Sequence, residues 1–211
     1  MNIKILSRLY SKRNQVYKIM LEIEGKSQPA IMKIYSGKDN LPEAEYRNMK
    51  MLYDYGINVP RIICKDNNRL IMEYIDGDLV NDLVERLDTG EWIDKLALWF
   101  SQLHKISKDS DTLLKGDVNL RNFIYSNGEI YGLDFEEIRW GDVRTDLADV
   151  CFFMLTNTPS FTKEKHIMLR RFLQCYENYS GSKLEKMGRF LRNSKNEAKK
   201  RRKKRLDGLH C

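Results

Sequence analysis

The sequence lacks any apolar run long enough to cross a membrane. The longest such runs, residues 150–155 and 96–100, are far shorter than the roughly 20 residues that a membrane helix requires. The N-terminus also lacks the apolar region of a signal peptide. We therefore expect a soluble, cytoplasmic protein with no membrane span.

Cysteine is scarce, and its spacing excludes two common roles. The sequence has no Cys-x-x-Cys pair and no pair of histidines near a cysteine; the four cysteines are Cys64, Cys151, Cys175 and Cys211. Neither a zinc site nor a disulfide framework is therefore indicated, which fits the reducing cytoplasm. The sequence also lacks any internal repeat.

Outside one short segment, the charges of the chain balance. The formal net charge is +7, and residues 195–205 alone carry eight Lys or Arg residues against one acid, Glu197. Two interpretations stay open for this basic tail, which we place at residues 193–211. It is a solvated and partly disordered end of the chain, or it binds RNA or another polyanion.

The first part of the sequence has the pattern of an antiparallel sheet with one helix. Runs of branched and aromatic residues predict five strands, at residues 3–6, 16–23, 30–34, 58–64 and 69–74. Gly25 and Pro29 separate the second strand from the third. A helical pattern begins at Pro42 and ends at Gly56.

The remainder of the sequence has mainly helical patterns. Apolar residues recur at helical spacing through residues 92–106 and predict a central helix. Two short strands, at residues 122–125 and 130–133, are joined by a hairpin signal that includes Asn127 and Gly128. From residue 147 onward the pattern is typical of helix or disorder.

One loop carries a carboxylate and an amide at a spacing that suits metal-assisted chemistry. Asp117 and Asn122 stand five residues apart, and Asp134 follows at the far end of the expected hairpin. A hairpin between Asn122 and Asp134 returns the chain on itself, so we expect their oxygen atoms to meet. Hard cations such as Mg²⁺ prefer oxygen ligands. Asp117 would then orient an acceptor hydroxyl and accept its proton.

This arrangement resembles the protein-kinase superfamily, and within it the aminoglycoside phosphotransferase and choline kinase branch. The resemblance extends over roughly residues 1–155 and rests on four sequence features: the Asp-x-x-x-x-Asn loop, Asp-Phe-Glu at 134–136, Trp-Gly-Asp at 140–142 and Asp-Leu-Ala at 146–148. It implies an α+β, two-lobed fold. The antiparallel-sheet N-lobe would span residues 1–75, and the mostly helical, shortened C-lobe residues 76–192.

The resemblance also implies a role for each residue of the loop. Asp117 would be the catalytic base, and Asn122 and Asp134 would bind Mg²⁺, or Mn²⁺ in its place. Asp146 would anchor the catalytic loop from the start of a helix. Arg121 stands where tyrosine kinases carry an arginine and would neutralise charge on the transferred phosphoryl group; otherwise it pairs with a surface acid or is solvated.

In the N-lobe the resemblance implies an ATP site. Lys33 matches the strand lysine that holds the nucleotide phosphates, and Glu45 matches its ion-pair partner in preference to Glu43. We expect this pair to be partly exposed and therefore to contribute little to stability. Glu73 and Ile75 fall at the hinge, whose backbone would bind adenine.

Three departures from the family pattern concern the phosphates, the base and the acceptor. Residues 10–15 contain no glycine where a glycine-rich phosphate loop is expected. Lys115 replaces the histidine commonly found two residues before the catalytic aspartate. Fewer residues separate Asp146 from the basic tail than antibiotic kinases use to build an acceptor pocket.

Three functional hypotheses follow. The first is an ATP-dependent phosphotransferase that moves the γ-phosphoryl group of MgATP to a hydroxyl acceptor, expected to be a small molecule. The second is a minimal serine/threonine protein kinase or ATPase, similar to the RIO kinases or to the small kinase of the tRNA threonylcarbamoyl-modifying complex, acting in a protein or RNA complex. The third is a pseudokinase scaffold that binds a partner or RNA through the basic tail.

Overall fold

The computed structural model describes residues 1–11, 13–36 and 42–207, with side chains as far as residue 200. Lys12 of the glycine-free loop therefore lies outside the described residues, as do the side chains at the end of the basic tail. The chain forms two compact units. The first unit comprises Met1–Gly77 and Tyr131–Glu136, and the second comprises Asp78–Ile130 and Glu137–Cys211.

The first unit contains an antiparallel sheet of five strands. In chain order the strands are β1 (Asn2–Leu9), β2 (Gln15–Ile23), β3 (Lys26–Ile34), β4 (Ile62–Lys65) and β5 (Arg69–Glu73). Within the sheet they follow the order β1-β2-β3-β5-β4, and every neighbouring pair is antiparallel. The five strands expected from the sequence are confirmed, although their ends differ by several residues.

Pro29 lies inside β3, so the expected start of this strand at residue 30 is wrong. The turn before β3 consists of Glu24 and Gly25, both with positive φ. From Lys26 onward β3 pairs with β2, whereas β5 joins its other side only from Ala30. Pro29 therefore has a neighbouring strand on one side only, a position at which the missing N–H of proline is tolerated.

The helix of the first unit directs an acidic residue toward the interior. Helix α1 (Glu43–Asp54) follows Pro42, and Gly56 has a positive φ of 76° just beyond its end. Its buried residues, Glu45, Met49 and Leu52, lie on one helical face. The core of the sheet is built from alternating residues of the central strands: Ile19, Leu21, Ala30, Met32 and Ile71.

The second unit is mainly helical. Its helices are α2 (Val80–Glu85), α3 (Trp92–Leu103), α4 (Arg144–Thr156), α5 (Lys163–Ser180) and α6 (Met187–Asp207). The short strands are β6 (Asp78–Leu79), β7 (Ser107–Lys108), β8 (Asp111–Leu114), β9 (Phe123–Ser126), β10 (Glu129–Gly132) and β11 (Arg139–Gly141); the last two residues of β10 belong to the first unit. They form two sheets, in the orders β10-β9-β6 and β11-β8-β7.

The central helix and the hairpin are confirmed. Trp92, Leu96 and Trp99 on α3 are almost completely buried, and α3 packs against α5. Between β9 and β10, Asn127 and Gly128 have φ values of 50° and 79°, as a two-residue turn with two positive φ angles requires.

The described part of the basic tail is helical, because α6 continues to Asp207. Ser194 and Ala198 on α6 are buried, and α6 packs against α4. Lys195, Lys199 and Lys200 are exposed. Among the described residues, no helix combines the length and the apolar character needed to cross a membrane.

Candidate active site

Lys33 lies at the centre of the charged cluster in the first unit. It is on β3 between Val16 of β2 and Leu70 of β5, in the part of the sheet where both neighbours are present. Its Nζ is 2.6 Å from Glu45 Oε2. The expected meeting of Lys33 and Glu45 therefore occurs, and α1 supplies Glu45 from its buried face.

Two further carboxylates contact the same ammonium. Lys33 Nζ is 2.7 Å from Glu136 Oε1 and 3.1 Å from Asp134 Oδ1. Oxygen atoms of Glu45, Asp134 and Glu136 lie within 4.8 Å of one another, a spacing that could surround a metal ion. The Lys33 ammonium contacts all three carboxylates and therefore supplies positive charge to this cluster of acids.

The pKa of Lys33 reflects two opposing effects. Burial alone would lower it, but the negative charges of Glu45 and Asp134 and the hydrogen bond to Glu136 outweigh burial and raise it above its usual value. Tyr35 also donates its hydroxyl proton to Glu45. Burial and the charge of Glu45 raise the pKa of Tyr35 as well, so Glu45 accepts from two groups that stay protonated.

The Lys33–Glu45 pair is buried, so the expectation of a partly exposed pair is wrong. The side chains of Lys33 and Glu45 are 9% and 2% exposed. Glu45 is one of the buried residues of α1, and the burial of the whole pair could not be deduced from helical spacing alone. The Asp134 carboxylate is 44% exposed and is the most exposed of the three acids in the cluster.

The Asp-Phe-Glu segment holds Asp134 in an unusual backbone conformation. Its φ is +57°, in the left-handed region that aspartate tolerates better than most residues do. The next residue, Phe135, is fully buried, and its carbonyl oxygen accepts a 2.7 Å hydrogen bond from Asn48 on α1. This anchor fixes the segment on which Asp134 and Glu136 stand.

The glycine-free loop at residues 10–15 contacts the charged cluster through the side chain of Asn14. Asn14 is buried, and its amide nitrogen donates to Glu136 Oε1 at 3.0 Å. The sequence does not predict the contacts of Asn14, Asn48 and Tyr35 at this site, because single Asn and Tyr residues form no recognisable motif.

In the second unit, Asp146 anchors the loop that contains Asp117. Asp146 is fully buried in the first turn of α4, and its carboxylate accepts the backbone N–H of Lys115 at 2.6 Å and that of Gly116 at 3.2 Å. Gly116 has a φ of +81°, and a Cβ atom there would lie 2.1 Å from the carbonyl oxygen of Glu137. The anchoring role expected of Asp146 is confirmed.

The side chains of the loop are ordered by local hydrogen bonds. Asp117 Oδ1 accepts the backbone N–H of Asn119 at 3.1 Å, and Asn119 Oδ1 accepts that of Arg121 at 3.1 Å. Asn122 donates its amide proton to the Asp117 carbonyl at 3.3 Å. The Arg121 side chain is exposed and forms no ion pair with a described residue.

The expected hinge residues, Glu73 and Ile75, lie at the end of β5 and just after it. Glu73 is the last residue of β5, and its backbone N–H donates to the Arg61 carbonyl at 2.9 Å. Ile75 follows and is buried. Their contact with adenine stays a prediction. The expected meeting of Asn122 and Asp134 also stays a prediction, because these residues belong to different units.

Comparisons with known proteins identify one family. A family model described as the RIO domain matches residues 11–138, more than half of the chain. The Bud32 subunit of the KEOPS complex from Pyrococcus abyssi is 26% identical over 150 residues, which cover 70% of this chain and 66% of the relative.

A second relative is much longer than the region that matches this chain. A probable bifunctional tRNA threonylcarbamoyladenosine biosynthesis protein from Methanocaldococcus jannaschii is 28% identical over 138 residues, which cover 64% of this chain and 24% of the relative. The chain thus spans less than two thirds of the length of either relative.

A solved structure shows the fold. The ADP-bound aminoglycoside phosphotransferase APH(2'')-Ib superposes with a TM-score of 0.64 at 14% identity, over 92% of this chain and 81% of that chain. The expected α+β, kinase-like fold is therefore confirmed. The family match falls on the RIO domain, the near alternative to the aminoglycoside phosphotransferase and choline kinase branch. The chain belongs to the RIO domain family and has a protein-kinase-like fold.

Proposed function

We propose that this RIO domain protein is an ATP-dependent phosphotransferase that transfers the γ-phosphoryl group of MgATP to a hydroxyl group. The observation that carries the proposal is the buried Lys33–Glu45 pair with Asp134 beside it. A lysine held by a buried carboxylate is suited to bind phosphate oxygens, and phosphoryl transfer depends mainly on positioning and charge neutralisation.

In this proposal, the cluster of the first unit binds the nucleotide. Glu45 holds the Lys33 ammonium from the buried side, and Tyr35 donates to the same carboxylate. Nucleotide phosphates would compete with Glu136 for Lys33, because Glu136 is more exposed than Glu45. The backbone of Glu73 and Ile75 would bind adenine.

The chemistry of the donor atoms fits magnesium. Asp134 offers an accessible carboxylate, and Asn122 offers an amide oxygen because its nitrogen donates to the Asp117 carbonyl. Mg²⁺ prefers such oxygen ligands together with phosphates and water. When bound, the ion would neutralise charge on the phosphates.

Asp117 would orient the acceptor and take its proton. Its Oδ1 already accepts the Asn119 N–H, which fixes the carboxylate and leaves Oδ2 for the acceptor hydroxyl. Arg121 is exposed on the same loop and would neutralise charge on the transferred phosphoryl group.

The relatives favour an acceptor or activator within a protein–RNA assembly over a small molecule. One relative is named as a subunit of the KEOPS complex, and the other as a tRNA threonylcarbamoyladenosine biosynthesis protein. The exposed lysines of α6 offer a surface for RNA. A small-molecule acceptor remains the competing hypothesis.

A single assay series tests the proposal. Purified protein is incubated with radiolabelled ATP and Mg²⁺, and released phosphate, autophosphorylation and transfer to a panel of hydroxyl compounds are measured, each with and without tRNA. We expect turnover that tRNA stimulates, and that Asp117→Asn removes. Asp111→Asn, an exposed aspartate of the same unit, is the matched control and should retain turnover.

The outcomes separate the three hypotheses. Transfer to a small hydroxyl compound, unaffected by tRNA, would support the small-molecule phosphotransferase. Tight RNA binding with no turnover under any condition would contradict the proposal and support a pseudokinase scaffold. Turnover that persists in Asp117→Asn would show that the catalytic base has been wrongly assigned.

A further inference from the structure

Lys115 is a buried lysine inside the loop that carries the catalytic aspartate. Its side chain is completely buried, although the family that the sequence resembles commonly has histidine at this position. The Lys115 ammonium donates to the backbone carbonyl of Asp117 at 3.1 Å and lies 5.8 Å from the centre of the Phe123 ring. Burying an ammonium is unfavourable unless hydrogen bonds compensate for lost hydration.

The Asp117 carbonyl oxygen is shared by two side chains. It accepts the Lys115 ammonium proton and the Asn122 amide proton, the latter at 3.3 Å. A carbonyl oxygen has two lone pairs, so both hydrogen bonds can form together. The peptide of Asp117 is therefore held from the buried side by Lys115 while Asn122 contacts it from the loop.

The backbone of Lys115 is itself fixed. Asp146 on α4 accepts hydrogen bonds from the backbone N–H groups of Lys115 and Gly116. These bonds fix the backbone position of Lys115. Val118 and Leu120 on the same loop are almost completely buried. The lysine thus connects an anchored backbone to the carbonyl on which the orientation of Asn122 depends.

We propose that Lys115 is a positioning residue for Asn122: its buried ammonium holds the Asp117 carbonyl so that the Asn122 amide nitrogen stays bound there and the amide oxygen is kept for the cation. This inference rests on the proposed function, in which Asn122 is a metal ligand. A methionine would fill the same space without the cost of burying a charge, so the charged donor is the feature that needs a function.

Lys165 provides a matched control. It is also completely buried in the second unit, and it also donates to a backbone carbonyl, that of Asn157 at 2.6 Å. Asn157 belongs to the end of α4 and not to the loop of Asp117. Replacing either lysine by methionine removes the same kind of hydrogen bond, but only Lys115 contacts the carbonyl that binds Asn122.

The experiment measures ATP binding by calorimetry for the full chain, once with Mg²⁺ and once with a chelator. We expect Lys115→Met to lower the Mg²⁺-dependent part of the affinity about 10-fold or more, as losses of groups that orient metal ligands do, and to leave metal-free binding nearly unchanged. Lys165→Met should change neither quantity. Lys115→His keeps an N–H donor and should recover part of the loss.

A double-mutant cycle gives the decisive result. If Lys115 acts through Asn122, Lys115→Met should cause no further loss of Mg²⁺-dependent affinity in an Asn122→Ala background. Additive losses, or a Lys115→Met variant that binds like the parent, would overturn the role of Lys115 alone. Unchanged Mg²⁺ dependence in Asn122→Ala itself would overturn the proposed metal ligand, and the role of Lys115 with it. Should Lys115→Met not fold, Lys115→Gln weakens the same bond, and the same criterion applies.

Discussion

Lys33→Met is the substitution that most directly tests how the charged cluster is held together. It removes the ammonium that contacts three carboxylates and leaves an apolar side chain of similar length on β3. Glu45 is then a buried carboxylate, 2% exposed, whose remaining partner among the described residues is the Tyr35 hydroxyl. We expect the variant to lose both ATP binding and stability.

The magnitude follows from the burial of each carboxylate. Removing one partner of a buried ion pair costs about 3–5 kcal/mol, because the other charge is left without compensation. Asp134 is 44% exposed and can be hydrated, so its loss of a partner adds little. The lower end, about 3 kcal/mol, corresponds to a fall in melting temperature of roughly 6–12 °C for a chain of this size.

The raised pKa of Lys33 in the folded protein determines the pH range in which its stabilising effect can be measured. A raised pKa means that the stabilisation is complete below the pKa of an unfolded lysine, about 10.4, and is lost only as the pH rises beyond it. Measurements near neutral pH therefore report the whole effect. Thermal unfolding followed by circular dichroism, with and without MgATP, gives both quantities.

Two further variants control the measurement. Lys18→Met removes a lysine of the same sheet whose ammonium lies 3.6 Å from the centre of the Tyr74 ring, and loss of this cation–π contact should change the melting temperature little. Lys33→Met combined with Glu45→Gln should recover much of the stability but no ATP binding. A Lys33→Met variant that melts within about 2 °C of the parent would refute the account of a buried, charge-compensated pair.

Three other predictions concern the metal, the transferred phosphoryl group and the basic tail. Asp134→Asn should remove the Mg²⁺-dependent part of ATP binding in calorimetry; unchanged affinity and turnover would refute its role as a ligand. Arg121→Ala should lower kcat roughly 10²- to 10³-fold with little change in the KM for ATP, and turnover within about twofold of the parent would exclude the role. Glutamine at residues 201–205 should reduce the slope of log affinity for single-stranded RNA against log salt by about 3.5, because each phosphate contact contributes about 0.7. Fluorescence anisotropy measures that slope, and an unchanged value would show that the tail does not bind the phosphates.

Much of the fold could be predicted because the longer elements carry strong local signals. The apolar face of α3 repeats over residues Trp92–Leu103, and the Asn127–Gly128 turn allows the positive φ angles of a tight hairpin. The shorter strands, such as β6 and β7 with two residues each, are too short to show a periodic pattern. The predicted start of β3 was also wrong. Pro29 is tolerated inside the strand because β5 pairs with β3 only from Ala30, and that pairing depends on the whole sheet.

The candidate site divides in a similar way. Lys33, Glu45, Asp117, Asn122, Asp134 and Asp146 could be selected because their residue types and order match the motifs of the kinase superfamily that the sequence resembles. Burial of the Lys33–Glu45 pair could not, since it depends on how α1 contacts the rest of its unit. The buried Lys115 is the clearest case: the sequence shows only that it replaces a histidine, and the hydrogen bond to the Asp117 carbonyl appears when the loop is folded.

Sequence alone was sufficient for the kinase-like fold, the order of the charged residues along the chain and the concentration of positive charge in the tail. The fold was predicted from the resemblance of the loop motifs to the protein-kinase superfamily, whereas the other two properties depend on residue type and spacing along one chain, which charge counting reports directly. Tertiary structure decided which charges are buried and which groups share a partner: three carboxylates around Lys33, and two donors on the Asp117 carbonyl. Those contacts join residues as far as 103 positions apart, and only packing brings such residues within hydrogen-bond distance.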